Sequence, residues 1–473
     1  MGLQVVYNDK TDDLHITKEK TEGELLRKLL AIWITKILII IGKIAGKKGS
    51  STPGAVALKI CPDIIKRLSS QIPSEHIVAV CGTNGKTTTN NLLYSMITSE
   101  GKKAVCNNVG ANMIMGVATA FVDSANIFGK IKAEYAAIEI DEVSAQHVFK
   151  QLKPGYMIIT NFFRDQLDRY GEIDITMNAV KKALDMHPDI QLVLNADDPL
   201  VAWFGKGHKC HFYGVGEKVL GEECAEIKEG RFCKECGNEL EYEYYHYSQL
   251  GKYRCSKCGF QRPRAEFEAS DVRLEKGIEF TVNNTRISVN YRGYYNIYNI
   301  LAAYGAAKLM GIKTDNINRV LGAYKPQIGR MESFYIGKDV VFNLSKNPAG
   351  FNQAITTMLE DPRKKDMLFV LNDNAQDGRD ISWIWDVDFE RMKGRMANCG
   401  SAGIRHNDLM VRYKYGGFDV SSIKEFGSVE QGIREMLKTD SPVLYVLVNY
   451  TALFSTQNIL KRLEEEAKGA DKK

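Results

Sequence analysis

The sequence predicts an α/β protein: a domain with a mostly parallel sheet, then a smaller α/β domain. Three observations carry this. From about residue 70, short apolar runs alternate with helical text, as strand–helix units of a parallel sheet require. A glycine-rich turn, GTNGKT, stands between one such run and a helix. Two C-x-x-C pairs then interrupt the alternation and mark an insertion. A chain of 473 residues is too long for one small core, so two or three domains are expected.

The first twenty residues are polar and mixed in charge, unlike an export signal. Residues 25–49 are the most apolar text, but Lys28, Lys36 and Lys43 leave uninterrupted runs of only seven and six residues. A membrane span needs about 20. This segment is expected to be an amphipathic helix that is buried, covered by a partner or lying on a membrane surface. GKKGSSTPG, 46–54, reads as a linker or turn.

Strands are expected at HIVAVCG (76–82), YAAIEI (135–140), YMIIT (156–160) and IQLVLN (190–195), and later at DMLFVLN (366–372) and VLYVLVN (443–449). Helices are expected at 86–101 and 295–311. The expected organisation is an arm and helix over 1–50, an α/β domain over 51–330 with an insertion at 228–265, and a second domain over 331–473.

Hydrophobic content of 44% and charged content of 26% are those of an ordinary globular chain. A net charge of +5 gives little support to a dedicated nucleic-acid binder. Of ten cysteines, four form the two pairs and six are scattered, which suits a reducing compartment and a cytoplasmic protein.

Residues 79–89, AVCGTNGKTTT, follow a strand and open a helix. Backbone N–H groups of such a turn, added to a helix N-terminus, make an anion cradle. The cradle is Gly82, Thr83, Asn84, Gly85, Lys86, Thr87 and Thr88. Lys86 would reach the terminal phosphates of ATP and the Thr87 hydroxyl would ligate Mg²⁺. The longer loop pattern needs Gly at position 80 and finds Val80, while the shorter one is intact.

In this context GTNGKT resembles the ATP loop of the Mur ligases and the related folylpolyglutamate synthases. Further matches follow in the family's order. EIDEVSA (139–145) resembles its acidic strand end, so Glu142, or next Glu139, is implied as a Mg²⁺ ligand. TNFFRDQLDRYGEID (160–174) and LNADDP (194–199) resemble two more of its segments. GYYNIYNILAA (293–303) resembles the segment that holds adenine, which implies Asn296 and Asn299. IGRMES (328–333) resembles G-R-x-E, with Arg330 toward the γ-phosphate. The resemblance implies activation of a carboxylate as an acyl phosphate, which an amine then attacks. Three departures stand out. Gln166 replaces a metal-binding histidine, and Val180, beside Lys181, replaces a lysine many members carbamylate. The usual domain that grips a UDP-sugar is missing ahead of the loop.

Cys233, Cys236, Cys255 and Cys258 read C-x2-C-x18-C-x2-C, the spacing of a structural Zn²⁺ ribbon. Gly237 and Gly259 directly after each pair suit the knuckle turns. The aromatics around the pairs are expected to form the ribbon's small core rather than to stack bases.

Residues 371–390, LNDNAQDGRDISWIWDVDFE, hold six carboxylates and two tryptophans without a histidine or cysteine. Read alone, this is a solvated acidic loop with two core tryptophans. With NPAGFN (347–352), the ribbon and the missing UDP-binding domain, it resembles one branch of the Mur ligases: the ligase subunits of lipid II isoglutaminyl synthases. That resemblance implies amidation of the D-glutamate α-carboxylate of lipid II at the inner membrane face. It implies ammonia from a GatD-type class I glutaminase subunit, and Asp380 as the acid supplied in trans to that partner's Cys–His pair. Trp383 and Trp385 would then help form the docking surface. A stand-alone ligase of folylpolyglutamate synthase type would explain the loop but neither the ribbon nor D-G-R-D. A nucleic-acid-binding ribbon ATPase is the rival from another class.

Overall fold

The computed structural model describes residues 10–44, 51–107, 111–165, 173–219, 229–275, 277–324 and 328–470. Its central sheet has nine strands. Chain order gives β1 (Ile77–Cys81), β2 (Ala104–Cys106), β3 (Tyr135–Glu139), β4 (Tyr156–Ile159), β5 (Gln191–Asn195) and β6 (Cys210–Val215). After the hairpin β7 (Glu241–Tyr247) and β8 (Leu250–Arg254) come β9 (Phe267–Arg273), β10 (Ile278–Val282) and β11 (Thr285–Val289). The spatial order is β11-β10-β9-β6-β5-β4-β1-β3-β2.

Strands β1 to β6 and β9 are parallel, and β10 and β11 add an antiparallel edge. β1, β3 and β4 are buried along their whole length, which explains why they read as unbroken apolar runs. Helices Lys86–Ser99 and Tyr295–Leu309 pack together on one face. The parallel pair β6–β9 is joined by a crossover that contains the C-x-x-C pairs and the hairpin.

The second sheet comprises β12 (Glu332–Tyr335), β13 (Asp339–Leu344), β14 (Lys365–Val370), β15 (Asn398–Ala402), β16 (Lys424–Glu425) and β17 (Val443–Val448). Its order is β12-β13-β17-β14-β15-β16, parallel except for the β12–β13 edge. The strands and helices expected from the sequence are all present. The edge hairpins were not legible in the alternation.

Helix Lys10–Ile44 lays Ala31, Ile32 and Thr35 against helices Ser51–Ile60 and Ile114–Ser124. The linker expected at 46–54 is corrected in part. Residues 46–50 lie outside the described residues, but Ser51–Gly54 form the first turn of a helix. Pro53 is tolerated there because the first turn's N–H groups have no intrahelical partner. Gly54 is needed for contact: a Cβ on it would sit 1.7 Å from the Met115 carbonyl oxygen.

Candidate nucleotide and ligation site

Strand β1 runs through Val80 to Cys81, so the longer pattern's first glycine position belongs to the buried strand rather than the turn. The turn itself is Gly82–Gly85. Gly82 and Gly85 have φ of 115° and 86°, which side chains disfavour. A Cβ on Gly82 would sit 2.3 Å from Thr160 Oγ1, and one on Gly85 2.2 Å from Asn299 Oδ1. The end of β4 holds the turn. Thr83 N donates to the Asn161 carbonyl at 2.8 Å, and Asn84 N to Asn161 Oδ1 at 2.8 Å. Thr160 Oγ1 donates to the Asn84 carbonyl at 2.8 Å.

Thr160 and Asn161 have no role legible in the sequence alone. Their signal is a pair of short polar residues directly after a buried strand, where such side chains bond neighbouring backbone.

Lys86 Nζ donates to Glu142 Oε1 at 2.8 Å and to the Gly82 carbonyl at 2.6 Å. Burial would depress its ammonium, but Glu142, Asp141 and Glu139 outweigh this and hold it above the usual lysine range. Glu139, at the end of β3, is buried and accepts from Asn112 Nδ2 at 3.0 Å. Its other oxygen, Oε2, has no hydrogen-bond partner among the described residues. Burial pushes this carboxyl up, against the opposing pull of Lys86, Thr87 and Asn112. A buried, half-satisfied carboxylate beside a threonine hydroxyl at a helix start is a donor set that a hard cation such as Mg²⁺ takes.

A cleft opens above the turn. Asn84, Gly85 and Thr88 line it from the loop, Asn296 and Asn299 from helix Tyr295–Leu309, and Arg330 from the junction before β12. Asn299 Nδ2 donates to Asn296 Oδ1 at 3.1 Å. Asn343, near the end of β13, and Lys346 and Asn347 after it line the opposite side. Asn347 Nδ2 donates to Asn84 Oδ1 at 3.1 Å, and Lys346 pairs with Asp165. The cleft therefore unites Gly85, Asn296, Asn299 and Arg330 with the second sheet. Six tyrosines line it as well, Tyr295 and Tyr324 among them, and the sequence reading singled out none of these.

Val180 is fully buried in the core, and Lys181 points outward to Asp185 at 3.2 Å. Neither reaches the cleft lining. Gln166 lies outside the described residues.

The four paired cysteines converge, with every Sγ within 4.8 Å of the others. A tetrahedral zinc with Zn–S near 2.3 Å needs sulfur–sulfur edges of about 3.8 Å, so the set fits such an ion. Gly237 and Gly259, at φ of 73° and 78°, donate to the Cys233 and Cys255 carbonyls and close the two knuckles. Tyr253 and Leu240 are buried against the cysteines, so the aromatics here are core. The hairpin also reaches toward the cleft. The hydroxyl of Tyr294 lies 2.8 Å from His246 Nδ1. Tyr298 donates to Asp197 Oδ2 at 2.8 Å, and Arg262 Nε donates to Asp197 Oδ1 at 2.6 Å. Tyr294 and Tyr298 flank Asn296, so one buried network links the insertion to the cleft wall.

In the acidic stretch, Asp373, Asp386 and Glu390 pair with Arg405, Arg164 and Arg412. Buried Asp377 accepts from Thr451. Asp388 is half-buried, and burial pushes its carboxyl up. Asp380 differs from these five. It is exposed and accepts from Ser382 N in its own turn at 2.8 Å. Bonds from Ser382 hold its carboxyl below the usual range. The two tryptophans part company. Trp383 packs on Phe351 as core, whereas Trp385 is exposed and meets exposed Tyr415 edge-on at 5.5 Å.

A parallel sheet that ends in a phosphate-loop turn, with a cleft closed by a second sheet, is the architecture of a Mur-type ligase. Comparisons agree. Residues 80–307 match the Mur ligase middle domain and 344–453 the MurT ligase C-terminal domain. The pseudomurein peptide ligase type C of Methanothermus fervidus shares the fold at a TM-score of 0.68 and 22% identity, over 85% of this chain and 81% of that one. MurF ligase of Thermotoga maritima, solved with ADP, does so at 0.61 and 14% identity, over 88% and 85%. The MurT subunit of lipid II isoglutaminyl synthase (glutamine-hydrolyzing) from Staphylococcus aureus strain COL is 36% identical over 85% of this chain and 90% of its own. That of Streptococcus pneumoniae R6 is 34% identical over 87% and 92%. The chain belongs to the MurT family.

Proposed function

We propose that this chain is the ligase subunit of a lipid II isoglutaminyl synthase, a peptidoglycan-synthesis enzyme. In this reading, the α-carboxylate oxygen of the stem-peptide D-glutamate attacks the γ-phosphorus of ATP, and ADP leaves. Ammonia attacks the resulting acyl phosphate at carbon. Phosphate departs with the C–O bond and one proton is lost, leaving D-isoglutamine. Ammonia comes from a GatD-type glutaminase subunit, and lipid II is met at the inner membrane face.

Each residue has a role that its position supports. The N–H groups of 82–88 and Lys86 hold the phosphates, and Arg330 faces the γ-phosphate. Asn296 and Asn299 hold the adenine. Thr87 with Glu142 or Glu139 would hold Mg²⁺, which supplies charge neutralisation on the phosphates when bound. The four cysteines would hold a structural Zn²⁺, and Asp380 serves the partner's histidine. The observation that carries the reading is the meeting of the phosphate turn and the second sheet at one cleft, Asn84 to Asn347. A stand-alone ligase leaves Asp380 without a task, since its described partner is its own turn.

The test is co-expression with a glutaminase of that type, lipid II, Mg-ATP and glutamine or ammonia, read by mass spectrometry. Amide should form from either nitrogen source with the wild-type chain. Asp380→Asn should keep ammonia and lose glutamine. If free ammonia yields no amide with the wild-type chain, the ligase reading is overturned.

A further inference from the structure

Helix Lys10–Ile44 is apolar on two opposite faces. One packs on the protein through Ala31, Ile32 and Thr35. The other carries Leu30, Ile34, Ile37, Ile41 and Ile44 at helical spacing, and all five are exposed, Ile44 by 82%. From Leu30 to Ile44 this stripe is about 21 Å long at 1.5 Å per residue. No element among the described residues covers it. A second exposed apolar tip adjoins it. Trp33 Nε1 donates to the Ile127 carbonyl at 2.8 Å, and Phe128, next in that turn, is 70% exposed.

The charges around this surface are mostly positive. Lys36 and Lys43 lie on one flank of the helix, where Lys36 Nζ donates to the Asp123 carbonyl at 3.0 Å, and Lys130 and Lys132 follow Phe128. No acid occurs between Leu25 and Ile44, and Glu24 is paired with Arg67 at 2.9 Å. A helix too charged to span, apolar outward and flanked by lysines, is built to lie in an interface. Lysine stems extend along apolar surface while their heads meet anionic headgroups.

We propose that the outer face of this helix, with the Ile127–Phe128 tip, docks the enzyme on an anionic lipid surface. Choosing a bilayer over a protein rests partly on the lipid-linked substrate proposed above, but binding is measured without turnover. The full chain is floated with phosphatidylglycerol–phosphatidylcholine vesicles and with phosphatidylcholine alone, at low and high salt. It should float with the anionic vesicles and be released by salt. Ile37→Glu with Ile41→Glu, and separately Phe128→Ser, should each weaken binding about tenfold or more. Both should still amidate a water-soluble stem-peptide substrate, which separates a lost surface from a lost fold or a wrong ligase reading. Absent flotation, or flotation that neither variant weakens, overturns the proposal. A concentration-dependent dimer, or a glutaminase complex, that the double variant abolishes would assign the face to protein instead.

Discussion

Asn84 and Asn347 bond amide to amide, Nδ2 to Oδ1 at 3.1 Å in one direction and 3.4 Å in the other. The first belongs to the phosphate turn and the second to the start of helix Pro348–Glu360, which it caps by accepting from Gly350 N at 2.8 Å. This pair therefore joins the two halves of the cleft. Asn347→Ser keeps a capping oxygen but is too short for the bridge, whereas Asn347→Ala removes both. Both variants should lose about tenfold in kcat/KM for ATP, since positioning across the cleft is what they share. Only the alanine variant should also unfold more easily, by about 1 kcal/mol. A fully active serine variant would remove the bridge from the mechanism.

Trp383 and Trp385 should behave oppositely. Trp383→Ala opens space against Phe351 and should destabilise the chain by about 2 to 3 kcal/mol. Trp385→Ala should leave the melting temperature nearly unchanged and weaken association with the glutaminase subunit proposed above, measured by titration calorimetry. Equal stability losses for both would place Trp385 in the core.

Emission spectroscopy should find one zinc per chain, and Cys255→Ser should lose it. The insertion is tied to helix Tyr295–Leu309 through His246–Tyr294 and Asp197–Tyr298. Removal of the metal should therefore raise KM for ATP, although no cysteine lines the cleft. An unchanged KM in metal-free protein would show that the network holds without the ion.

Burial pushes the Asp198 carboxyl up to about 7, although it accepts from Phe162 N and Leu200 N at 3.1 and 3.0 Å. Its folded pKa lies above the unfolded value of about 3.9, so the folded state binds the proton more tightly. That stabilisation is fully present below about pH 4 and is lost as pH rises through about 7. Between pH 5 and pH 8 the wild-type chain should lose about 2.5 kcal/mol relative to Asp198→Asn. Denaturant melts at the two pH values give the difference directly, and a difference independent of pH would contradict the assignment.

The parallel strands were legible because burial on both faces makes them continuous apolar runs, as in β1 and β3. The cysteine set was legible because two knuckles fix ligand spacing. The division of labour among the acids was not. Asp373, Asp386 and Glu390 meet arginines at 405, 164 and 412, and such distant partners leave no local pattern. Likewise the exposed stripe of helix Lys10–Ile44 reads like core text, since sequence does not say which apolar face meets protein. Asn161 and Asn347 lay inside segments matched to the family but had no role of their own, because short polar residues after strands serve many turns and only the fold turns these two toward one cleft.

The crossover between β6 and β9 makes the order of chain assembly depend on sulfur chemistry. Tyr213 and Phe267 pair as neighbours in the sheet although a long insertion separates them. Closing such a loop costs entropy that grows with its free length. Cross-linking Cys233 and Cys236 to Cys255 and Cys258 shortens the free path before the strands meet. A chain made without a metal to gather those thiols would leave β9, and the antiparallel edge that follows it, slow to join the sheet, so it could be translated intact and still fail to mature.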